Sequence, residues 1–218
     1  MEPKVQKQLS AFFGKFPLES FVKESAVVTP DNDRGVFFLT KGTVKMTGRP
    51  KKKGAFTLNI YKSPALFPMF LVFGQKDKHF YSALSDVEGH FAPPSVFAKF
   101  LRKNPTILWD LLKRIYRGLE GFFLLLEVQL SGNAYLKTLA QIIIHSRRFG
   151  HEKEGVVVFD WHLTHEQIAS QTGLARESVT KEIRKLQKKG LIGYRGKRLF
   201  VNDPGKLEEE YFNFSSNI

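Results

Sequence analysis

Arg176, Glu177 and Lys181 are the residues whose types and spacing could do chemistry. An arginine offers two parallel donors that match the O6 and N7 acceptors on a guanine edge, and a glutamate accepts from a cytosine amino group. Adjacent on one helix, Arg176 and Glu177 suit the reading of a G·C step in a major groove. Lys181, one turn later, adds a point charge that can reach a phosphate or a single guanine atom. Such side chains need a helix that buries its other face. The stretch Leu163 to Lys189 supplies it. Thr164 can cap a first helix that turns Ile168 and Ala169 inward, Gly173 supplies a tight turn, and Leu174 closes the corner. In the second helix Val179, Ile183 and Leu186 fall at 4,3 spacing for a core, leaving Arg176, Glu177, Lys181 and Arg184 on other faces. A solvated amphipathic helix would also carry charges. What separates this stretch from one is the spacing of Ala169, Gly173 and Val179 around the turn.

The segment that follows has the form of a wing. Leu191-Ile-Gly-Tyr and Leu199-Phe-Val read as two short strands around Arg195-Gly-Lys-Arg. Between Asp160 and Asn202 stand nine Lys or Arg against four Asp or Glu, the footprint expected of phosphate contact. Thr164, Ser178, Lys197 and Arg198 are the candidates for it.

The run LTHEQIASQTGLARESVTKEIRKLQKKGLI resembles the C-terminal winged helix of the Crp/Fnr family of bacterial transcription regulators. In that family the Arg-Glu pair and a basic residue one turn on contact bases or nearby phosphates. The resemblance assigns those roles to Arg176, Glu177 and Lys181, with lysine standing where arginine is common. It further implies a homodimer on an inverted-repeat operator, double-stranded DNA as partner, and RNA polymerase as a further partner if the protein activates.

The whole chain fits this reading without having produced it. Its 218 residues can hold one large or two modest domains, and a net charge of +13 with a pI near 9.8 favours an anionic partner, nucleic acid or membrane. The absence of cysteine excludes disulfides, thiolate switches and cysteine-ligated iron-sulfur clusters. The N-terminus MEPKVQKQLSAFF lacks a signal-peptide layout, and no run of about 18 apolar residues could span a membrane, so a cytoplasmic, soluble protein is expected. No nucleophile triad or paired-carboxylate constellation stands out, so no enzyme is expected. A cupin-like enzyme would need clustered His and carboxylate metal ligands that the N-terminal half lacks. His162 and His165 flank the first reader helix and suit phosphate or solvent rather than metal.

In the N-terminal half, residues 1 to about 20 suggest a short helix. Ala26-Val-Val-Thr, Gly35-Val-Phe-Phe-Leu-Thr, Thr43-Val-Lys-Met and Phe56-Thr-Leu-Asn-Ile-Tyr then read as strands separated by turn residues, including Gly48 to Gly54. Many short strands imply an antiparallel barrel or roll. The segment Val36 to Lys45 is similar to the hairpin of a cyclic-nucleotide-binding roll, with Gly42 at the turn, and Ala83 to Pro105 resembles its last strand and short helix. Family members that bind cyclic AMP carry a Gly-Glu pair for the ribose and an Arg-Ser or Arg-Thr pair for the phosphate. The stretch Ala65 to Tyr81 has neither, and Asp77 falls near the arginine's place. Cyclic AMP is therefore not expected as effector. Phe67, Phe70, Phe73 and Tyr81 are candidates for an apolar effector pocket, although such a wall also suits an ordinary roll core. Some members ligate haem with a histidine in the roll. His79 and His90 lie there, but no second ligand stands at a useful spacing, so neither haem nor another cofactor is expected.

From about Thr106 to Leu130 the sequence reads as one long helix. Leu108, Leu112, Ile115, Leu119, Phe122 and Leu126 are spaced 4,3,4,3,4, a heptad seam that asks for the same helix of a second subunit, while Leu111, Phe123 and Leu125 give a second apolar face. Gly118 and Gly121 would permit either close approach or a bend. Ser131-Gly-Asn marks a hinge, Tyr135 to Phe149 another helix, and Glu154 to Asp160 a strand.

The expected fold is therefore α+β. It comprises a β-roll sensor resembling a cyclic-nucleotide-binding domain over residues 1–105, a dimerisation helix over 106–131, and a winged helix-turn-helix over 132–218. The expected function is sequence-specific transcription regulation under an unidentified effector. The alternative is an effector-independent regulator whose roll only supports dimerisation.

Overall fold

The computed structural model describes residues 1–32, 34–48, 56–159 and 162–215, without the side chains of residues 131, 214 and 215. Most of the turn expected at Gly48 to Gly54 lies outside them, as does Asp160. By its contacts the chain divides into Met1–Arg117 and Gly118–Ile218. That division falls inside the long helix rather than at its two ends, where the sequence suggested boundaries.

The first unit opens with α1 (Pro3–Phe13) and continues through β1 (Leu18–Phe21), β2 (Ala26–Val28), β3 (Val36–Lys41), β4 (Thr43–Thr47), β5 (Thr57–Lys62) and β6 (Ala65–Phe67). A 3-10 turn at Met69–Phe73 leads to β7 (Phe80–Ala83), β8 (Val87–Ala92) and α2 (Pro94–Arg102). The strands form two four-stranded antiparallel sheets, ordered β1-β8-β3-β6 and β2-β7-β4-β5. This is the expected roll.

Strand β3 explains why one short stretch can hold two layers together. Successive side chains point to opposite faces, so Phe37 and Leu39 enter one apolar cluster, with Phe67, Tyr81 and Phe91, while Val36 and Phe38 enter another, with α1 and α2. All four are essentially inaccessible to water. At the β3–β4 turn Gly42 has φ +91°, and a Cβ there would lie 2.2 Å from the Asp86 carbonyl oxygen, so only glycine fits. The helical layer is aromatic: the Phe97 ring centroid lies 5.1 Å from Phe13 and 5.7 Å from Phe12, and Phe12 stacks on Phe100 at 4.1 Å.

Helix α3 (Pro105–Ser131) is continuous through Gly118 and Gly121. Its first turns belong to the first unit, where Ile107 and Leu111 join the cluster around Phe97 and Asp110 accepts from the Glu2 backbone N–H at 3.3 Å. A Cβ at Gly118 would meet nothing within 4 Å, and one at Gly121 would only touch Ile144 at 3.7 Å. Neither glycine is demanded by close packing within the chain.

The second unit takes the end of α3, α4 (Ala134–Phe149), β9 (Gly150–Lys153), β10 (Val156–Phe159), α5 (His165–Thr172), α6 (Arg176–Lys188), β11 (Ile192–Arg195), β12 (Arg198–Val201) and α7 (Pro204–Ser215). Its sheet order is β11-β12-β10-β9. Strand β9 was not legible as a strand, because Gly-His-Glu-Lys has no apolar alternation; it forms by pairing with β10 across the turn at Glu154 and Gly155. The unit's core draws on Val128, Leu139, Ile142, Ile143, Ile168, Val179, Ile183, Leu186, Leu199 and Tyr211. The acidic tail is part of this unit: Tyr135 donates to Glu210 at 2.7 Å, and Lys189 pairs with the same carboxylate at 2.6 Å.

Phe97 is fully buried among three other phenylalanines. Phe97→Ala is expected to destabilise the protein by about 3–5 kcal/mol, the usual loss for a deleted core aromatic. Denaturant unfolding with a probe on the first unit checks this; a loss under about 1 kcal/mol would mean the layer refills the space.

Candidate nucleic-acid interface

The local geometry at α5 and α6 follows from capping and burial. Thr164 accepts from the Gln167 backbone N–H at 3.1 Å, and the Gln167 side chain accepts from the Thr164 backbone N–H at 2.9 Å, a reciprocal capping box. The Thr164 hydroxyl proton remains available to a phosphate. Helix α5 ends at Gly173, whose φ of +72° reverses the chain as its N–H returns to the Ala169 carbonyl at 2.9 Å. Leu174 packs against the core, and α6 begins two residues on.

Burial sets the orientation of α6. Val179, Ile183 and Leu186 are at most 1% exposed. Seating three such side chains contributes about 1.5–3 kcal/mol each, which fixes the opposite face outward. That face carries Arg176, Glu177, Lys181, Arg184 and Lys188, and with Thr180 and Lys185 these line one continuous surface groove. The expected base-reading residues are thus brought together. Ser178 is half-buried on the flank. Among the described residues Arg176, Lys181 and Arg184 have no carboxylate partner, whereas Lys185 is held by the buried Glu182 at 2.7 Å.

The wing is formed by β11 and β12, paired from Ile192↔Val201 to Arg195↔Arg198 around Gly196 and Lys197. Arg195 is occupied by an ion pair with Glu154 at 2.8 Å. Lys197 and Arg198 are exposed at the tip with no such partner among the described residues.

The net charge is unevenly distributed between the two units. Residues 1–117 carry 20 Lys and Arg against nine Asp and Glu, and residues 118–218 carry 14 against 12. The surplus lies in the roll's unit. The footprint in the second unit is therefore a matter of placement: Arg176, Lys181, Arg184, Lys185 and Lys188 share one face of α6, with Glu177 the one acid among them.

Two histidines of this unit are engaged in ways the sequence did not reveal. His145, on α4, is fully enclosed, with Nε2 2.9 Å from Gln171 Oε1 and 3.1 Å from Gln141 Nε2. Burial pulls its pKa down from an ordinary value near 6.5 to about 4. His165 was expected to face phosphate or solvent. It lies instead between the recognition helix and the wing, with Nδ1 2.8 Å from Thr180 Oγ1 and Nε2 3.1 Å from the Tyr194 hydroxyl. These partners stand 15 and 29 residues away, a separation that no local pattern marks.

In the roll the four aromatic residues expected to line an effector pocket are divided between core and surface. Phe67 and Tyr81 are buried, their rings parallel at 4.9 Å, while Phe70 and Phe73 are 47% and 71% exposed. The elements divide them: Phe67 lies on β6 and Tyr81 on β7, both turned into the core, whereas Phe70 and Phe73 lie on the 3-10 turn that follows β6. Asp77 is buried, with one carboxylate oxygen 2.5 Å from the Tyr81 hydroxyl and the other 2.5 Å from His79 Nδ1. His90 Nδ1 lies 2.9 Å from the Phe16 carbonyl. Among the described residues no group of three or more His, Cys, Asp or Glu could hold a metal ion, and no helix is long and apolar enough to cross a membrane.

Residues 136–210 match the Crp-like helix-turn-helix domain. The global nitrogen regulator of Nostoc sp. is 27% identical over 208 residues, covering 91% of this chain and 92% of that protein. The transcriptional regulator SdrP of Thermus thermophilus is 27% identical over 153 residues, 70% of this chain and 71% of its own. In fold, a variant of CooA from Carboxydothermus hydrogenoformans superposes with a TM-score of 0.77 at 19% identity, over 93% of this chain and 90% of that one. A Crp/Fnr-family transcriptional regulator of Thermus thermophilus gives 0.64 at 25% identity, over 89% and 98%. With a helix-turn-helix and wing presenting a basic face, the chain is a DNA-binding transcription regulator. Over residues 136–210 it carries the Crp-like helix-turn-helix domain, and over most of its length it is similar to Crp/Fnr-family regulators in fold.

The buried His145 gives a sign to the pH dependence. Between pH 6.5 and 4 the unfolded chain binds a proton there that the folded chain does not, so its contribution is complete above 6.5 and is lost as pH falls toward 4. The thermal midpoint of the full chain should drop across that window, and His145→Gln should drop less steeply. Equal slopes would show that His145 does not carry the proton.

Proposed function

We propose that the protein is a homodimeric, sequence-specific regulator that reads G·C pairs in each half of an inverted-repeat operator. Arg176, Glu177 and Lys181 make the base contacts in this reading, and Thr164, Ser178, Lys197 and Arg198 the phosphate contacts. The observation that carries it is the outward face of α6, where Arg176 and Lys181 have no ion-pair partner among the described residues, beside an exposed basic wing tip. Phosphate contacts position the helix and base contacts specify the sequence.

Dimerisation is supported by the other face of α3. Leu108, Leu112, Ile115, Leu119, Phe122 and Leu126 are each 42–58% exposed, although their heptad spacing makes one apolar seam. A row of that length facing water is costly, and the same row of a second copy would cover it. Two recognition helices about one DNA turn apart would then meet the two half-sites.

The roll is proposed to sense something other than cyclic AMP. Near the position where a phosphate-binding arginine is expected, Asp77 is a buried carboxylate with both oxygens engaged, and it would repel an anion. The stacking of Phe67 on Tyr81 inside the roll also favours a second reading, in which the roll needs no effector and only supports the dimer. Stabilisation of the full chain by a candidate effector separates the two. The protein is proposed to act in the cytoplasm without enzymatic activity or cofactor, contacting RNA polymerase if it activates.

Selection from random duplex DNA by the purified chain should return an inverted repeat with G·C pairs at fixed places, and sedimentation should show a dimer. A monomer that returns no sequence preference would overturn the proposal. Arg176→Ala should relax discrimination at one G·C pair by about 1–3 kcal/mol. Lys197→Ala should instead weaken all DNA binding evenly and make its salt dependence shallower. The two roles would be reversed if each variant showed the other's pattern.

A further inference from the structure

His165 joins three elements that must hold still while a base sequence is read. The Thr180 hydroxyl donates to the Arg176 carbonyl at 2.9 Å, so its oxygen is left to accept from His165 Nδ1 at 2.8 Å. The Nδ1–H tautomer leaves Nε2 as an acceptor, which the Tyr194 hydroxyl of the wing meets at 3.1 Å. One chain of hydrogen bonds therefore runs from β11, through the first residue of α5, to the first turn of α6. It ends on the backbone of Arg176.

We propose that His165 is a positioning residue for DNA reading: in its neutral form it fixes the recognition helix to the wing, and its protonation exchanges sequence discrimination for general affinity. This rests on the reading of α6 given above and names how that face is held and regulated.

The surroundings of the ring supply the mechanism. His162 and Glu166 face it from its own segment, Arg176, Thr180 and Arg184 from α6, and Tyr194 from β11. Burial, and then Arg176, His162 and Arg184, hold the imidazole pKa below its ordinary value in the free protein. DNA phosphates at this surface would offset that cationic repulsion. Binding then favours uptake of a proton, and affinity for any duplex rises as pH falls. The same proton turns Nε2 from acceptor to donor, so the Tyr194 hydroxyl must turn its own proton away and accept instead, and the wing is held to α6 through a reversed, charged contact rather than the neutral relay.

The test uses the full chain, with its selected operator and a duplex of scrambled sequence, at pH about 7.5 and about 6, which bracket an ordinary imidazole. For the parent the ratio of the two affinities should fall at the lower pH while binding to the scrambled duplex strengthens. His165→Ala, which removes both bonds, should lose about tenfold of that ratio at pH about 7.5, as expected for two lost hydrogen bonds. His165→Gln can donate to Thr180 and accept from Tyr194 without titrating, so it should keep the ratio and lose the pH response. His162→Gln, on an exposed neighbour, should leave the response of the ratio in place. Full discrimination in His165→Ala, or an unchanged pH response in His165→Gln, would overturn the proposal. The imidazole ¹⁵N shifts of the free protein give a readout independent of DNA. A proton on Nδ1 supports the relay; a proton on Nε2 overturns it even if the operator reading stands, whereas failure to select any operator would instead strike the reading itself.

Discussion

The burial of one side of α6 is the constraint on which the rest depends. Val179, Ile183 and Leu186 cannot face water without forfeiting several kcal/mol, and their seat is built by α4, α5 and the sheet. Once they are seated, 3.6 residues per turn leave no choice about where Arg176, Glu177 and Lys181 point. The turn at Gly173, the capping box at Thr164 and the packing of Leu174 set the angle at which α6 leaves α5. The outward basic face of α6 is thus a consequence of packing, with the polar residues carried on the face that the core rejects.

The roll follows the same logic with a different result. Strand β3 spends both of its faces on apolar layers, and the aromatic residues that fill them leave Phe67 and Tyr81 stacked where an apolar wall was expected to bound a pocket. Burying the carboxylate of Asp77 is tolerable only because Tyr81 and His79 satisfy it. A buried, engaged acid is a poor neighbour for a cyclic phosphate. The fold is shared with the similar structures, while the segment from Ala65 to Tyr81 is filled by its own side chains.

Charge shows how far composition can mislead about place. The +13 of the chain agrees with a DNA-binding protein, yet nearly all of the surplus lies in the first unit. The second unit is close to balanced and still presents a basic face, because Glu182 is buried against Lys185, Glu154 holds Arg195, and Glu208 and Glu210 pair with Arg147 and Lys189. These four carboxylates are each taken up by a cation of the unit, Lys185 being the one that stands on α6. Among the described residues Arg176, Lys181 and Arg184 of α6 and Lys197 and Arg198 of the wing tip have no such partner.

The sequence by itself determined the winged helix-turn-helix, since its elements are local: caps, a glycine turn, a 3.6-residue apolar period and a two-stranded wing. It also determined the long helix and its heptad seam, and the strands of the roll wherever β-branched and aromatic residues cluster. Strand β9 was invisible because only its pairing with β10 makes it a strand. The separation of Phe70 and Phe73 from Phe67 and Tyr81 was invisible because a run of apolar residues does not say which of them the sheet turns inward. The placing of His165 against Thr180 and Tyr194, of His145 against Gln171, and of Asp77 against Tyr81 was decided only by tertiary structure. A hydrogen bond tolerates only a few tenths of an ångström in the distance between groups that, for His165 and His145, stand well apart in the chain, and periodicity carries no information at that scale.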